Sequence, residues 1–157
     1  MKKRVVFAAV LALFLNMGIG ASMVSFYVIE TGLSENITNV RHSELWENAF
    51  LDIFFDAGHI VSNAPILRLE HKVNGNILRM VDMQDARDSG VEFVLIAQLD
   101  YTDDLRAPDE ISFFIYKVTP QEKILDRTIT PKSFRTTNDE YNDIKAVVRG
   151  LVPYVGR

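Results

Sequence analysis

The chain has no cysteine, five prolines and one tryptophan in 157 residues, and its basic groups are the minority charge, 17 against 21 acidic. Without cysteine there is no disulfide framework, no thiolate metal centre, no cysteine nucleophile and no N-terminal cysteine to carry a lipid. The modest acidic balance speaks against nucleic acid, whose phosphates demand clustered Lys and Arg. Neither an internal repeat nor a low-complexity linker divides the chain. With 48% apolar residues, it is long enough for one core and too short for two.

The longest uninterrupted apolar run opens the sequence. Lys2, Lys3 and Arg4 precede the eleven apolar residues Val5 to Leu15, and small residues follow at Gly18, Gly20, Ala21 and Ser22. This is the layout of a signal peptide over residues 1–22, with cleavage after Gly20 or after Ser22. The short basic start suggests a bacterial chain, so the expected compartment is the periplasm. The alternative is an uncleaved inner-membrane anchor, because Val5 to Ile29 carries no charge and about 20 apolar residues span a bilayer. Asn16, Gly18, Gly20, Ser22 and Ser25 dilute its second half. Loss of residues 1–20 removes three basic groups and no acidic one, leaving a net charge of −7. Asn36-Ile37-Thr38 forms a glycosylation sequon, which matters only in a eukaryotic secretory pathway.

Residues 23–157 read as a single globular domain. Val24 to Glu30 is β-branched and aromatic and stops at Thr31-Gly32, a strand. Ser43 to Ala57 reads as a helix capped by Ser43, with Glu44 and Glu47 in its first turn and Gly58 at its end. Trp46, Ala49, Phe50, Ile53, Phe54 and Ala57 share one face, and Leu45, Leu51 and Phe55 widen the apolar arc of a deeply packed helix. A short strand at 59–62 is interrupted by Asn63-Ala64-Pro65 before Ile66 to Leu69, and Asn74-Gly75-Asn76 marks a turn. Asp82 caps a short helix that ends at Gly90. Val91 to Tyr101 is apolar at both parities, as a strand covered on both faces must be. Ile111 to Val118 and Ile124 to Thr130 form a hairpin about Thr119 to Lys123. A last helix is capped by Asn138 and turns Tyr141, Ile144, Val147, Val148, Leu151 and Val152 inward. The expected fold is α+β with an α/β-like start, a mixed sheet in the order β-α-β-α-β-β-β-α. Its first strands are parallel, joined by right-handed crossovers.

Chemistry is sparse. Asp52, Asp56 and His59 could hold a metal from one helix face, but a histidine at a helix C-terminus equally complements the dipole, and zinc catalysis asks for more imidazole. A hydrolase using His59 with Asp56 is the least favoured reading. His42 and His71 have no serine in a nucleophile-elbow setting, and no phosphate-binding or dinucleotide motif occurs. Asp100, Asp103, Asp104, Asp109 and Glu110 form an acidic run, yet a calcium loop beginning at Asp100 would need glycine where Leu105 stands and glutamate where Ile111 stands. A solvated rim with weak, opportunistic cation binding fits better. No cofactor and no metal site is expected. Trp46, Phe50, Phe54 and Phe55 are the candidate groove or interaction surface. Core packing is the competing account of the same residues.

The helix ending Asp56-Ala57-Gly58, the strand Ile60-Val61-Ser62 and the segment Ala86 to Tyr101, leaving by Gln98-Leu99-Asp100-Tyr101, resemble a group of bacterial envelope modules: the N-terminal domain of TolB, LpoB and CsgG. The closing hairpin and final helix extend the likeness over residues 24–152. The chain lacks the lipobox cysteine of the lipoprotein members and the propeller that follows in TolB. The resemblance implies a protein-binding accessory role without enzymatic activity. The expectation is therefore an exported, non-enzymatic envelope domain that binds another envelope protein or its own copies, with membrane association possible only through the N-terminal segment. The alternative is a periplasmic carrier or sensor of a small apolar ligand such as lipid.

Overall fold

The computed structural model describes residues 21–33, 41–73, 76–102, 107–132 and 135–156. The targeting segment up to residue 20, the sequon and the Asn74-Gly75 turn lie outside them. β1 (Met23–Thr31) is an interior strand of a six-stranded sheet, one place in from its β2–β3 edge. It pairs in parallel with β4 (Phe93–Asp100) on one side and with β2 (Ile60–Asn63) and β3 (Leu67–Leu69) on the other. β5 (Glu110–Lys117) and β6 (Glu122–Ile129) add an antiparallel hairpin beyond β4. The expected mixed sheet is present, with one strand more than expected. Pro65 has no N–H to donate and breaks the second strand in two, although Ala64 N still donates to Phe26 O at 3.0 Å.

Alternation sorts the strand residues onto two faces. Val24, Phe26 and Val28, with Leu95, Ala97, Leu99, Phe113 and Ile115, join Trp46, Phe50 and Phe54 of α1 (Arg41–Asp56) and Ile144 and Val148 of α3 (Thr137–Arg149) in one cluster. Ile29, Val94, Ile96 and Tyr116 join Ile77 and Leu78 of a 3-10 turn and Ala86 of the short α2 (Met83–Asp88) in another. The chain leaves β1 toward β2 through α1 and returns past it to β4 through α2. Right-handed crossovers running in opposite directions place their helices on opposite faces.

Three local expectations are corrected. Ser43 does not cap α1, which begins at Arg41; Ser43 is fully buried in the first turn and its hydroxyl donates to Glu30. Thr136, not Asn138, caps α3, holding an extended backbone while its Oγ1 accepts from Asp139 N at 3.1 Å. Phe55 does not enter the packed arc and is 71% exposed, because one residue beyond Phe54 lies about 100° further round the helix. Asp82 caps α2 as expected, accepting from Gln84 N and Asp85 N.

Gly58 closes α1 at φ +87°. Gly58 N donates to Phe55 O and His59 N to Phe54 O, the paired bonds of a Schellman stop. That stop folds the His59 ring onto Phe54, with centroids 5.8 Å apart. At the other end of β1, Gly32 sits at φ +81°, and a Cβ there would lie 2.1 Å from Tyr101 O. The two central strands therefore finish in close backbone contact.

Candidate functional site

A cleft of about 200 Å3 opens where the C-terminal end of β6 meets α3. Its apolar lining comes from Trp46, Ala107, Pro108, Ile129, Pro131, Ile144 and Val147, and its polar rim from Thr130, Lys132, Glu140 and Asp143. The rim acids are held by local pairs. Lys132 Nζ lies 2.7 Å from Asp143 Oδ1, and His42 Nδ1 lies 2.5 Å from Glu140 Oε1. At the cleft floor the Trp46 indole packs on Phe113 with centroids 5.3 Å apart, which fixes its orientation. A rigid apolar floor with a charged rim suits an inserted side chain.

A second polar region lies at the C-terminal ends of β1 and β4, beside the point where the chain's crossovers diverge and where open α/β sheets commonly bind ligands. Neighbouring residues there point to opposite faces. On the α1 side, Glu30 is fully buried and accepts from Ser43 Oγ and from Arg68 Nε at 2.8 Å. Burial pushes the nearby Tyr101 phenol far above its ordinary range, so it stays neutral; its bond with Ser43 opposes the shift, and the charges of Glu30 and Glu140 add to it. On the α2 side, Thr31 Oγ1 and Gln98 Nε2 both donate to Asp100 Oδ1, the latter at 2.8 Å. Lys72 reaches in from the segment after β3 and bridges Asp100 and Glu110. Its ammonium pKa is raised above the ordinary lysine value, first by Asp100 and then by Glu110.

The four aromatic candidates do not share a surface. Phe50 and Phe54 are 0% exposed in the core, Trp46 is buried but lines the cleft, and Phe55 faces solvent. Phe50 meets Phe26 at 5.2 Å and Phe113 edge-on at 6.3 Å. For these two, core packing is what the structure shows. Asp52, Asp56 and His59 are not brought together either. Asp52 Oδ2 accepts from Tyr141 OH at 2.6 Å, Asp56 is exposed, and His59 is buried against Phe54. Among the described residues no group of three His, Cys, Asp or Glu is placed to hold a metal, and no helix is long and apolar enough to cross a membrane.

Sequence reading reached Trp46 and missed the rest of the cleft lining. Glu140 and Asp143, three residues apart on α3, and Pro131, directly behind an apolar strand end, were its available signals. Each is commonplace alone.

In fold the chain is similar to PelC from Paraburkholderia phytofirmans, solved as a dodecamer, at 14% identity and a TM-score of 0.46, covering 87% of this chain and 89% of that one. It is similar to TolB from Acinetobacter baumannii at 12% identity and a TM-score of 0.43, covering 86% of this chain and 27% of TolB, so it spans only about a quarter of that protein. A hypothetical protein from Chlamydia trachomatis is similar at 12% identity and a TM-score of 0.44, with 84% and 98% covered. No curated protein matches in sequence. A family profile covers residues 24–139, and the chain belongs to that family, whose description is "Uncharacterised protein".

Proposed function

We propose that the protein is an exported, non-enzymatic accessory domain of the bacterial envelope, and that it docks a protein partner by taking one apolar side chain into the cleft between α3 and β6. The cleft carries this reading. Its volume, about 200 Å3, falls below the roughly 300–1,000 Å3 of sites that enclose small molecules. That size disfavours a lipid carrier and suits a single anchoring side chain with charges around it. Both sheet edges are ill-suited to strand pairing with another chain. β6 bears Glu122, Lys123, Asp126 and Arg127 and a register shift opposite Ile115/Tyr116, and the β2–β3 edge is broken at Pro65. Self-association by sheet extension is therefore the weaker route.

Ser43, the hydroxyl beside His42 in sequence, is engaged elsewhere. Ser43 is buried and donates to Glu30, and Arg68 holds that carboxylate from its other side. A nucleophile needs its base within hydrogen-bond reach, whereas the Ser43 hydroxyl donates to a carboxylate and not to an imidazole. Export with cleavage after Gly20 agrees with the fold better than cleavage after Ser22. Ser22 is buried, and its carbonyl accepts from Ile60 N at 3.0 Å, so a cut beyond it would remove a residue the edge strand uses.

The test is a cleft-filling substitution. Val147→Trp should weaken capture of the envelope partner by about thirtyfold or more, as loss of a hot spot does. Phe55→Ser should leave capture intact. Undiminished capture by folded Val147→Trp would remove the cleft from the interface.

A further inference from the structure

Three large apolar side chains stand exposed among the described residues: Phe55, Ile60 and Met80. Only Met80 adjoins a Lys or Arg in sequence. It ends the 3-10 turn Ile77–Met80, whose Ile77 and Leu78 are buried in the cluster on the α2 face and leave Arg79 and Met80 outside. Arg79 is exposed and has no ion-pair partner among the described residues. The nearest acid in sequence, Asp82, is occupied with capping α2, its Oδ1 accepting from Gln84 N at 3.0 Å and Asp85 N at 2.9 Å. Arg79 and Met80 therefore form a small cationic and apolar knob on a chain whose residues 21–157 carry a net charge of −7. The cleft between α3 and β6 is its complement. The cleft floor is apolar, and each rim acid has one oxygen engaged: His42 takes Glu140 Oε1 and Lys132 takes Asp143 Oδ1. The other oxygen of each has no hydrogen-bond partner among the described residues.

We propose that the cleft's partner is a second copy of this chain, with Met80 as the inserted side chain and Arg79 paired to the rim acids. This rests on the docking reading above and names its occupant. Methionine is unbranched and adapts to an irregular apolar space, and its sulfur makes favourable contacts with aromatic rings, here the Trp46 indole at the floor. The arginine fork suits a carboxylate that keeps an oxygen open. Phe55 is the poorer candidate. Asp56 beside it and Asp52 one turn back are exposed, and acids brought against Glu140 and Asp143 repel. Ile60 has no cation beside it, and its N–H is tied to Ser22 O within the edge strand. The turn packs on one face of the sheet and the cleft lies on the other. The contact is therefore heterologous: every added copy leaves one turn and one cleft free, and assembly runs head to tail until it closes as a ring.

Sedimentation velocity on the protein purified from its native envelope is the experiment. Wild type should associate reversibly beyond the dimer as concentration rises, and less so at high salt. Met80→Asp and Val147→Trp should each weaken association by about thirtyfold or more, as loss of a hot spot does. Mixed in equal amounts, these two variants should form one-to-one dimers and nothing larger, because one keeps a working cleft and the other a working turn. Arg79→Glu, at an exposed site without an ion pair, should weaken association by about tenfold. That variant decides the question even where Val147→Trp fails to fold. A wild type that is monomeric at every concentration, or undiminished association in Arg79→Glu, would overturn the proposal. So would a mixture of the two folded variants that stays monomeric or grows past the dimer. The docking reading outlives a monomeric wild type if Val147→Trp still loses capture of an envelope partner, and fails separately if that capture is undiminished.

Discussion

On one face of the sheet, α1 and α3 lay Trp46, Phe50, Phe54, Ile144 and Val148 over the central strands; on the other, the six-residue α2 and a 3-10 turn pack on Ile29, Val94 and Ile96 of the same strands. Twenty-one buried residues make up the first cluster and ten the second, among the described residues. The difference follows from crossover length. The α1 connection has sixteen helical residues with which to bury aromatic rings, and the return through α2 has too few. What α2 fails to cover is polar: Thr31 and Gln98 donate to Asp100, and Ser112 pairs with Thr128, in place of an apolar lid. One face therefore holds most of the buried apolar residues, and the other keeps a cluster of charged and polar groups at the C-terminal ends of β1 and β4.

Core truncation tests that division most strongly. Phe50→Ala should lower unfolding free energy by about 3–5 kcal/mol, and Ile96→Ala by about 2–3 kcal/mol, since the thinner cover on its side can collapse into the space. Denaturant titration of both variants measures the difference, and a larger loss from Ile96→Ala would break the comparison. Next comes Arg68→Ala, which leaves the buried Glu30 carboxylate without its cation. A loss of about 2–3 kcal/mol is expected, moderated because Arg68 is half exposed and water can enter.

A smaller effect is pH-dependent. Burial and the bond to Asp52 raise the Tyr141 phenol to about 12. The unfolded chain gives up this proton nearer pH 10. The contribution is therefore complete below about pH 10 and is lost as pH rises toward 12. Tyr141→Phe should abolish that part of the alkaline decline, read from thermal midpoints across the window. The smallest change belongs to Phe55→Ser, whose side chain is 71% exposed; its unfolding free energy should stay within about 0.5 kcal/mol of the parent.

Most of the fold was legible because its signals are local. β-branched runs mark β1, apolar residues at both parities mark β4, and Gly58 marks the end of α1. Ser43 was misread because a serine just before Glu44 satisfies every local rule for a cap, while its real partner, Glu30, is reached only when β1 and α1 have docked. Phe55 was misplaced for a related reason. An apolar arc on a helix does not reveal how wide the sheet beneath it is. The cleft was the least legible feature, because α1, the Ala107-Pro108 segment, β6 and α3 each contribute residues that are ordinary alone. The polar pair across β4 and β5 was visible only as an acidic run, since register, not sequence distance, sets Asp100 against Glu110.

Site-specific photo-cross-linking in the native envelope tests the docking reading most directly. A cross-linker placed at Lys132, on the cleft rim and with its side chain 72% exposed, should yield one discrete adduct with an envelope protein. The same group placed at Phe55, exposed on α1 outside the cleft lining, should yield none. No adduct from the rim, or the same adduct from both positions, would contradict the account.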